Sequence, residues 1–396
     1  MAKLIEITGK ALSGEWGTDD ETGDGIPVLR TTNFTNEGVV DYRNVVTRTI
    51  IKKKIEEKYL RKGDIIIEKS GGSDKQPVGR VIFFDGPEQT YLFNNFTGLL
   101  RVKDQTTWYP RYVFYSMYSN YRRGGTRAFE NKTTGLHNLK TDDYVSRYEV
   151  SETSMENQME ICERLDRLYG IIKMRQQELQ KLDELIKARF VELFGSIYDN
   201  KFGYNVRTLQ DVCEPIKDGT HQTPAYIDDS INGFKFLSSK DVTTGKIDWN
   251  HLKYIPEELH NKLYKRISPR KGDILLAKNG TTGVAAIVDK DEVFDIYVSL
   301  ALLRPLDIVA SEYLCSAINS TETKKQFDGS LKGIGVPNLH LGEIKKTQII
   351  VPPIELQNQF AAFVAQVDKS KFKEKVCYIR LRILRIRRRQ RLLLMK

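Results

Sequence analysis

Apolar positions recur every seven residues through the middle of the chain: Leu165, Ile172, Leu179, Ile186 and Leu193. Ile161, Leu168 and Leu182 fall four residues before the first, second and fourth of these, which completes an a/d stripe interrupted by Arg175 and Arg189. The spacing predicts one long helix over Glu156–Gly195, closed by Gly195 as a left-handed C-cap. At ~1.5 Å per residue, Ile161–Leu193 would be a rod of roughly 50 Å. So narrow a seam on so long a rod calls for a second helix. The candidate lies about two hundred residues later, where Leu356, Phe360, Phe363 and Val367 stand at helical spacing after Pro352-Pro353.

The stretches that precede the two rods form a repeat. Lys3-Leu-Ile-Glu-Ile7 has a counterpart in Thr208–Val212, Gly25–Phe34 in Gly233–Val242, and Asp41-Tyr42 in Asp248-Trp249. Arg61-Lys-Gly-Asp-Ile65 recurs as Arg270-Lys-Gly-Asp-Ile274, leading through apolar runs into Lys69-Ser-Gly71 and Lys278-Asn-Gly280. Gly135-Leu-His-Asn-Leu139 pairs with Gly335-Val-Pro-Asn-Leu339, and Asn157-Gln-Met159 with Asn358-Gln-Phe360. Order and offset are kept throughout, so one unit is written twice. The domains expected are a head at 1–150, a rod at 151–198, a second head at 199–353 and a second rod at 354–396. Asp64–Ile67, Arg80–Phe84, Asp273–Leu276 and Thr347–Val351 read as strands, and Trp108–Tyr118 and Ser311–Ile318 as helices. The fold class is therefore α/β, with two similar mixed α/β domains joined by two long helices. Two like heads on a rod suit a partner with two like sites at fixed spacing, and DNA is the commonest such object.

Charge qualifies that idea. The net charge is +10, but residues 369–396 hold twelve Lys or Arg and one acid, Glu374. Removing them from totals of 62 and 52 leaves 50 basic and 51 acidic residues, so the body is near neutral. Any nucleic-acid contact must rest on local patches. No apolar run approaches the ~20 residues of a membrane span, and no signal peptide is visible before Leu12. Cys162, Cys213, Cys315 and Cys377 are widely separated. They form neither a zinc motif nor a disulfide framework, and they fit a reducing cytoplasm.

Several blocks carry a resemblance. Ser13-Gly-Glu-Trp-Gly-Thr18, Arg30-Thr-Thr-Asn-Phe34, Arg61-Lys-Gly-Asp64, Asp218-Gly-Thr-His-Gln-Thr-Pro224 and Pro352-Pro-Ile-Glu-Leu-Gln-Asn-Gln359, in this order and with a heptad helix after each head, resemble the specificity subunit of type I restriction–modification enzymes. The resemblance spans residues 1 to about 370. It implies two target-recognition domains, each reading half of a bipartite double-stranded DNA site, and two long helices paired as an antiparallel coiled coil that sets the spacer. It also implies no chemistry in this chain. Methylation subunits would bring S-adenosylmethionine, and restriction subunits ATP and Mg2+. A recognition subunit of a related system, or a tandem-repeat scaffold without DNA binding, would share the repeat.

The residues agree with a non-catalytic chain. The Pro-Pro pair in Val351–Ile354 lacks the polar and aromatic neighbours of an adenine methyltransferase loop. Lys278–Gly283 lacks the Lys-Ser/Thr ending of a P-loop. Asp64 and Glu68-Lys69 come closest to a nuclease centre, yet the second copy has Ala277 where the first has Glu68. His137, His251, His260 and His340 are not in metal-ligand spacing, and Tyr42 and Trp249, which follow strand-like runs, are expected in the core.

Direct readout needs polar side chains on loops. The first head offers Trp16 and Thr18, then Arg30, Thr31 and Asn33, then Lys69, and finally Arg123, Arg127, Lys132 and Thr134 within the polar stretch from Arg122. The second offers Lys217, Thr220, His221, Gln222 and Thr223, then Lys240, then Lys278 and Asn279, then Lys332. Which of these contact phosphates and which read bases is not legible. After Lys375 the second rod loses its pattern, and Ile379–Arg391 alternates apolar residues with Arg. A basic DNA-binding arm and out-of-frame translation near the gene's end both fit, and the lost heptad favours the second.

Overall fold

A computed structural model describes the chain except residues 52–54, 134–135, 229–231, 332–337 and 395–396, and except the side chains of 132, 133, 136 and 377–394. The chain divides into two compact units, Met1–Arg175 with Cys377–Lys396, and Gln176–Val376.

Each head closes on itself with a ribbon of its first and last strands. Ala2–Lys3 pairs with Glu149–Val150, and Asn205–Thr208 with Gln348–Val351, both antiparallel. A short helix follows each opening strand, Leu4–Thr8 and Leu209–Val212. Its third residue caps it: Glu6 accepts the Lys3 N–H at 3.1 Å and Asp211 accepts the Thr208 N–H at 2.9 Å.

The central sheet of the first head runs Leu12–Ser13, Thr97–Leu100, Ile65–Glu68, Val81–Phe83. That of the second runs Lys217–Asp218, Leu300–Leu303, Ile274–Ala277, Ala285–Ile287 in the same order. Apolar runs replace alternation in the central strands because both faces are covered. Ile65 and Ile67 pack with the helix Pro110–Arg122, while Ile66 packs with Leu29, Phe93 and Leu99. In the second head, Ile274 and Leu276 face the helix Ser311–Ile318, and Leu275 and Ala277 face the opposite core. A second sheet in each head includes one parallel pair, Ile26–Leu29 with Leu92–Phe93 and Phe234–Leu237 with Phe294–Ile296.

The Arg-Lys-Gly-Asp block has the same role twice. Asp64 accepts from Arg101 Nε and Nη2, both at 2.7 Å, and from the Arg61 N–H at 2.7 Å. Asp273 does the same with Arg304, both at 2.8 Å, and with the Arg270 N–H at 2.9 Å. Both carboxylates are buried, so these are structural clamps.

The first rod is the helix Met155–Phe194, and Gly195 ends it at φ 70°. Leu165, Leu168 and Ile172 are buried, while Ile161, Leu179, Leu182, Ile186 and Leu193 are half-buried. The tightest contacts of its second half lie beside the heptad stripe. Phe190 and Phe194 have ring centroids 5.6 and 5.5 Å from Phe360 on the second rod, Ile354–Leu394. Arg189 lies 5.9 Å over Phe363, and Lys371 reaches Asp183 at 2.5 Å. Partners that descend on one helix ascend on the other, so the pair is antiparallel. The Arg-rich end continues as helix to Leu394, and its side chains lie outside the described residues.

One block of the repeat has a different register from that expected. Gln158 and Gln357, not Asn157 and Asn358, occupy equivalent places. Each donates to the carbonyl five residues before it, at Thr153 (3.0 Å) and Pro352 (2.8 Å). Helix geometry around these buried amides, rather than the identity of Asn-Gln, sets the alignment.

Candidate nucleic-acid interface

The central strand of each head is followed at once by a lysine. The Lys69 N–H donates to Phe96 O and its carbonyl accepts from the Leu139 N–H, both at 2.8 Å. Lys278 repeats this with Ser299 O (2.8 Å) and the Leu339 N–H (2.9 Å). Beyond each lysine the chain bridges to an asparagine, Ser70 to Asn138 and Asn279 to Asn338.

The lysine then ties in the first loop of its head. Lys69 Nζ lies 2.8 Å from Ser13 Oγ, and Lys278 Nζ lies 2.6 Å from Asp218 Oδ2. Glycine must follow each partner. A Cβ at Gly14 would lie 2.2 Å from Phe93 O and Asn94 O, and one at Gly219 would lie 2.0 Å from Ile296 O. Burial, reinforced by the Lys58 charge, holds the Lys69 ammonium below its ordinary pKa. Burial opposes ionisation of Asp218 too, but the hydrogen bond and charge of Lys278, with His221, outweigh it and lower the carboxyl's pKa.

The other polar loops of the first head connect to the same strand end. Arg80 donates to Thr31 O (2.9 Å), to Phe34 O (2.8 Å) and to Glu68 (3.1 Å), the residue before Lys69. Arg127 donates to Asp74 O at 3.1 Å. A polar cleft of about 600 Å³ opens there, lined by Lys69, Ser70, Asn95, Phe96, Asn138 and Lys140 among others. The Ser13 loop and the Thr31–Phe34 turn are thus both tied to the strand end beside which the cleft opens.

Residues 2–184 and 202–376 match the family model for the type I restriction modification DNA specificity domain. The chain belongs to that family. It is similar to the type I restriction enzyme EcoBI specificity subunit of Escherichia coli, 29% identical over 141 residues that cover 35% of this chain and 30% of the relative. It is also similar to the MjaVIII specificity subunit of Methanocaldococcus jannaschii, 23% identical over 288 residues covering 67% and 66%. The matched stretches therefore span less than two thirds of either relative. Two solved structures share the fold. One is the S subunit of a type I system from M. genitalium (TM-score 0.56, 14% identity, 99% of this chain and 95% of that one). The other comes from work on complex assembly and conformational transition of the type I system (TM-score 0.57, 16% identity, 99% and 96%).

The expected site residues of this specificity-family chain fall into distinct environments. Trp16 lies under the Arg48 guanidinium, 4.3 Å from ring centroid to Cζ, and its carbonyl accepts from Arg48 Nε at 3.0 Å. Thr18 is exposed at the start of an edge strand. Arg30 donates to Asn44 O at 3.2 Å. Asn33 is buried, and its amide accepts from the Arg30 N–H and donates to Asp41 O, both at 2.9 Å. It holds its own turn, as Asp241 does beside exposed Lys240. Arg123 and Arg127 are exposed, and Lys132 sits opposite His137 in a hairpin. In the second head Lys217 reaches Arg266 O at 3.3 Å, and Thr223 Oγ1 lies 3.3 Å from the Tyr297 hydroxyl. His221 and Gln222 are exposed, Thr220 and Asn279 half-buried. His221 Nε2 is 3.4 Å from Asp218. Thr134 and Lys332, with the side chain of Lys132, lie outside the described residues.

One of the aromatic expectations changes. Tyr42 is 39% exposed, its ring tilted against Tyr91, because the turn it occupies lies at the rim of its core. Glu68 belongs to a buried ion pair with Arg80, so the nearest thing to a nuclease carboxylate is structural. Sequence reasoning missed Arg48, Phe96 and Asn138. The paired Asn138 and Asn338 were in the repeat and could have signalled the last. Among the described residues no group of three or more His, Cys, Asp or Glu could hold a metal ion, and no helix is long and apolar enough to cross a membrane.

Proposed function

We propose that this chain is the DNA-reading subunit of a type I restriction–modification complex. Each head reads one half of a bipartite duplex site, and the paired helices set the spacer between the halves. The observation that carries the reading is the duplicated strand end: one lysine, its loop partner and a bridging asparagine, built twice on the same frame. Lys69, Arg123 and Arg127 suit phosphate contacts or guanine edges, and His221, Gln222 and Thr223 suit base edges in the major groove. Asn33 and Thr31 shape the turn that presents Arg30. Family membership disfavours a scaffold without nucleic acid.

The chain acts without chemistry of its own, in the cytoplasm. Methylation subunits carrying S-adenosylmethionine, and restriction subunits using ATP and Mg2+, dock on it. The clamps at Asp64, Asp273 and Glu68 support this, since each of these three carboxylates holds an arginine of the fold.

Mapping methylated sites in the host, with and without this gene, tests the reading. The expected result is one bipartite motif that vanishes with the gene. Replacing residues 1–150 by another head should then alter one half-site alone. Loss of no methylated motif, together with duplex binding insensitive to salt, overturns the proposal.

A further inference from the structure

Each rod carries one fully buried glutamine near its start, in a cage built the same way in both heads. Gln158 Oε1 accepts the Tyr109 N–H at 2.8 Å, and its Nε2 donates to Thr107 O at 2.9 Å and Thr153 O at 3.0 Å. Gln357 Oε1 accepts the Ala310 N–H at 2.9 Å, and its Nε2 donates to Ile308 O at 3.1 Å and Pro352 O at 2.8 Å. Tyr109 and Ala310 are the N-cap residues of the head helices Pro110–Arg122 and Ser311–Ile318. The amide therefore joins three pieces: the head helix's first turn, the loop before it, and the entry to the rod.

Only a carboxamide fits this cage. It needs an acceptor for one N–H and two donors for carbonyls on a buried side chain. Glutamate would set a charge against two carbonyl oxygens, and methionine would leave the backbone groups without these partners. Bonds in two directions fix an angle as well as a distance.

We propose that Gln158 and Gln357 are positioning residues that set the tilt of each head on its rod, and so the spacer length the protein accepts. This rests on the bipartite reading above. A domain of about 150 residues has a radius of gyration of ~15 Å, so loops at its far side lie at least ~30 Å from the pin. A tilt of about 7° then moves them ~3.4 Å, one base-pair step. A small loosening at the amide becomes a whole register at the DNA.

The test uses the full chain in its complex, with Gln158→Met and Gln357→Met, and with Gln158→Glu as a variant that keeps the accepted bond if the first does not fold. Duplexes carry the wild-type site with its spacer unchanged, lengthened or shortened by one base pair. Hydrogen exchange at the Tyr109 and Ala310 amides is measured without DNA. We expect faster exchange at the pinned amide, a tenfold or greater narrowing of the gap between correct and incorrect spacers, and unchanged base preference within each half-site. Equal loss of affinity for all three spacers, or unchanged exchange in the methionine variants, overturns the positioning role and leaves the bipartite reading standing. A wild-type chain indifferent to spacer overturns both.

Discussion

In the first head the strand-end lysine donates to a serine hydroxyl, and in the second the equivalent lysine is held by a carboxylate. Five residues before each lysine the heads agree again: the Asp of an Arg-Lys-Gly-Asp turn clamps an arginine in both. Just behind the lysines they differ once more, since the buried Glu68–Arg80 pair becomes Ala277 and Val284. The Arg-Lys-Gly-Asp frame is repeated, while the strand end differs both in its buried pair and in the partner of its lysine. Residues that hold strands to loops cannot drift independently, whereas those facing solvent are free to acquire different partners, as the proposed reading of two different half-sites requires.

The clamp should show the largest and most symmetrical effect. Asp64→Asn and Asp273→Asn each leave an arginine without its bidentate partner, and each should cost about 3–5 kcal/mol in denaturant unfolding. A large loss in one head and none in the other would break the equivalence. The buried pair should behave asymmetrically. Glu68→Ala alone strands Arg80 and should cost about 3 kcal/mol, whereas Glu68→Ala with Arg80→Val, which copies the second head, should recover most of that. Failure of the double variant to recover would mean that the two frames are not interchangeable at this point. Arg127→Ala should weaken duplex binding by about 1–3 kcal/mol and relax one base position if it reads a base; as a phosphate contact it would only reduce the salt slope by roughly one.

Acid should move the two heads in opposite directions. Burial raises the Glu68 carboxyl above 4.5 despite Arg80, so its contribution is present below that value and is lost as pH rises through the folded pKa. Asp218 lies below 3.8, so its contribution is present above that value and is lost as pH falls through the folded pKa. Urea midpoints for Glu68→Gln and Asp218→Asn, followed from neutral to acidic pH, should therefore diverge from wild type with opposite sign. The smallest effect is electrostatic exchange: Ser13→Asp should lower the salt slope of binding by roughly one, and Asp218→Ser should raise it by the same amount.

Much of this comparison was legible in the sequence because it rests on local signals. Arg61–Ile65 and Arg270–Ile274 announced both clamps as repeats, and the runs at Ile65 and Ile274 announced strands. What could not be read depends on distance along the chain. Arg48 meets Trp16 across 32 positions, and Lys278 meets Asp218 across 60. No periodicity connects them. The heptad also understated the rod, since Phe190 and Phe194 lie off the a/d stripe and are buried because Tyr313 of the head shares the contact, with ring centroids at 5.6 and 4.7 Å. For the Arg-rich end, translating the other two frames from the codon of Lys371 separates its two explanations. Restored Leu/Ile at seven-residue spacing marks a frameshift; otherwise, deleting 377–396 should reduce DNA affinity in a salt-dependent way.

The ribbon that closes each head has a consequence during synthesis. Ala2 must wait for Val150, and Asn205 for Val351, before its strand has a partner. Because the heads are near copies, an unpaired opening strand could be captured by the wrong closing strand. At ~5–20 residues per second on the ribosome, the ~200-residue lag between the two closing strands lasts about 10–40 s. The first head can close in that interval, while its only available mate is its own. A chain refolded from denaturant has no such head start, and cross-closed heads are the misfolded product to expect from it.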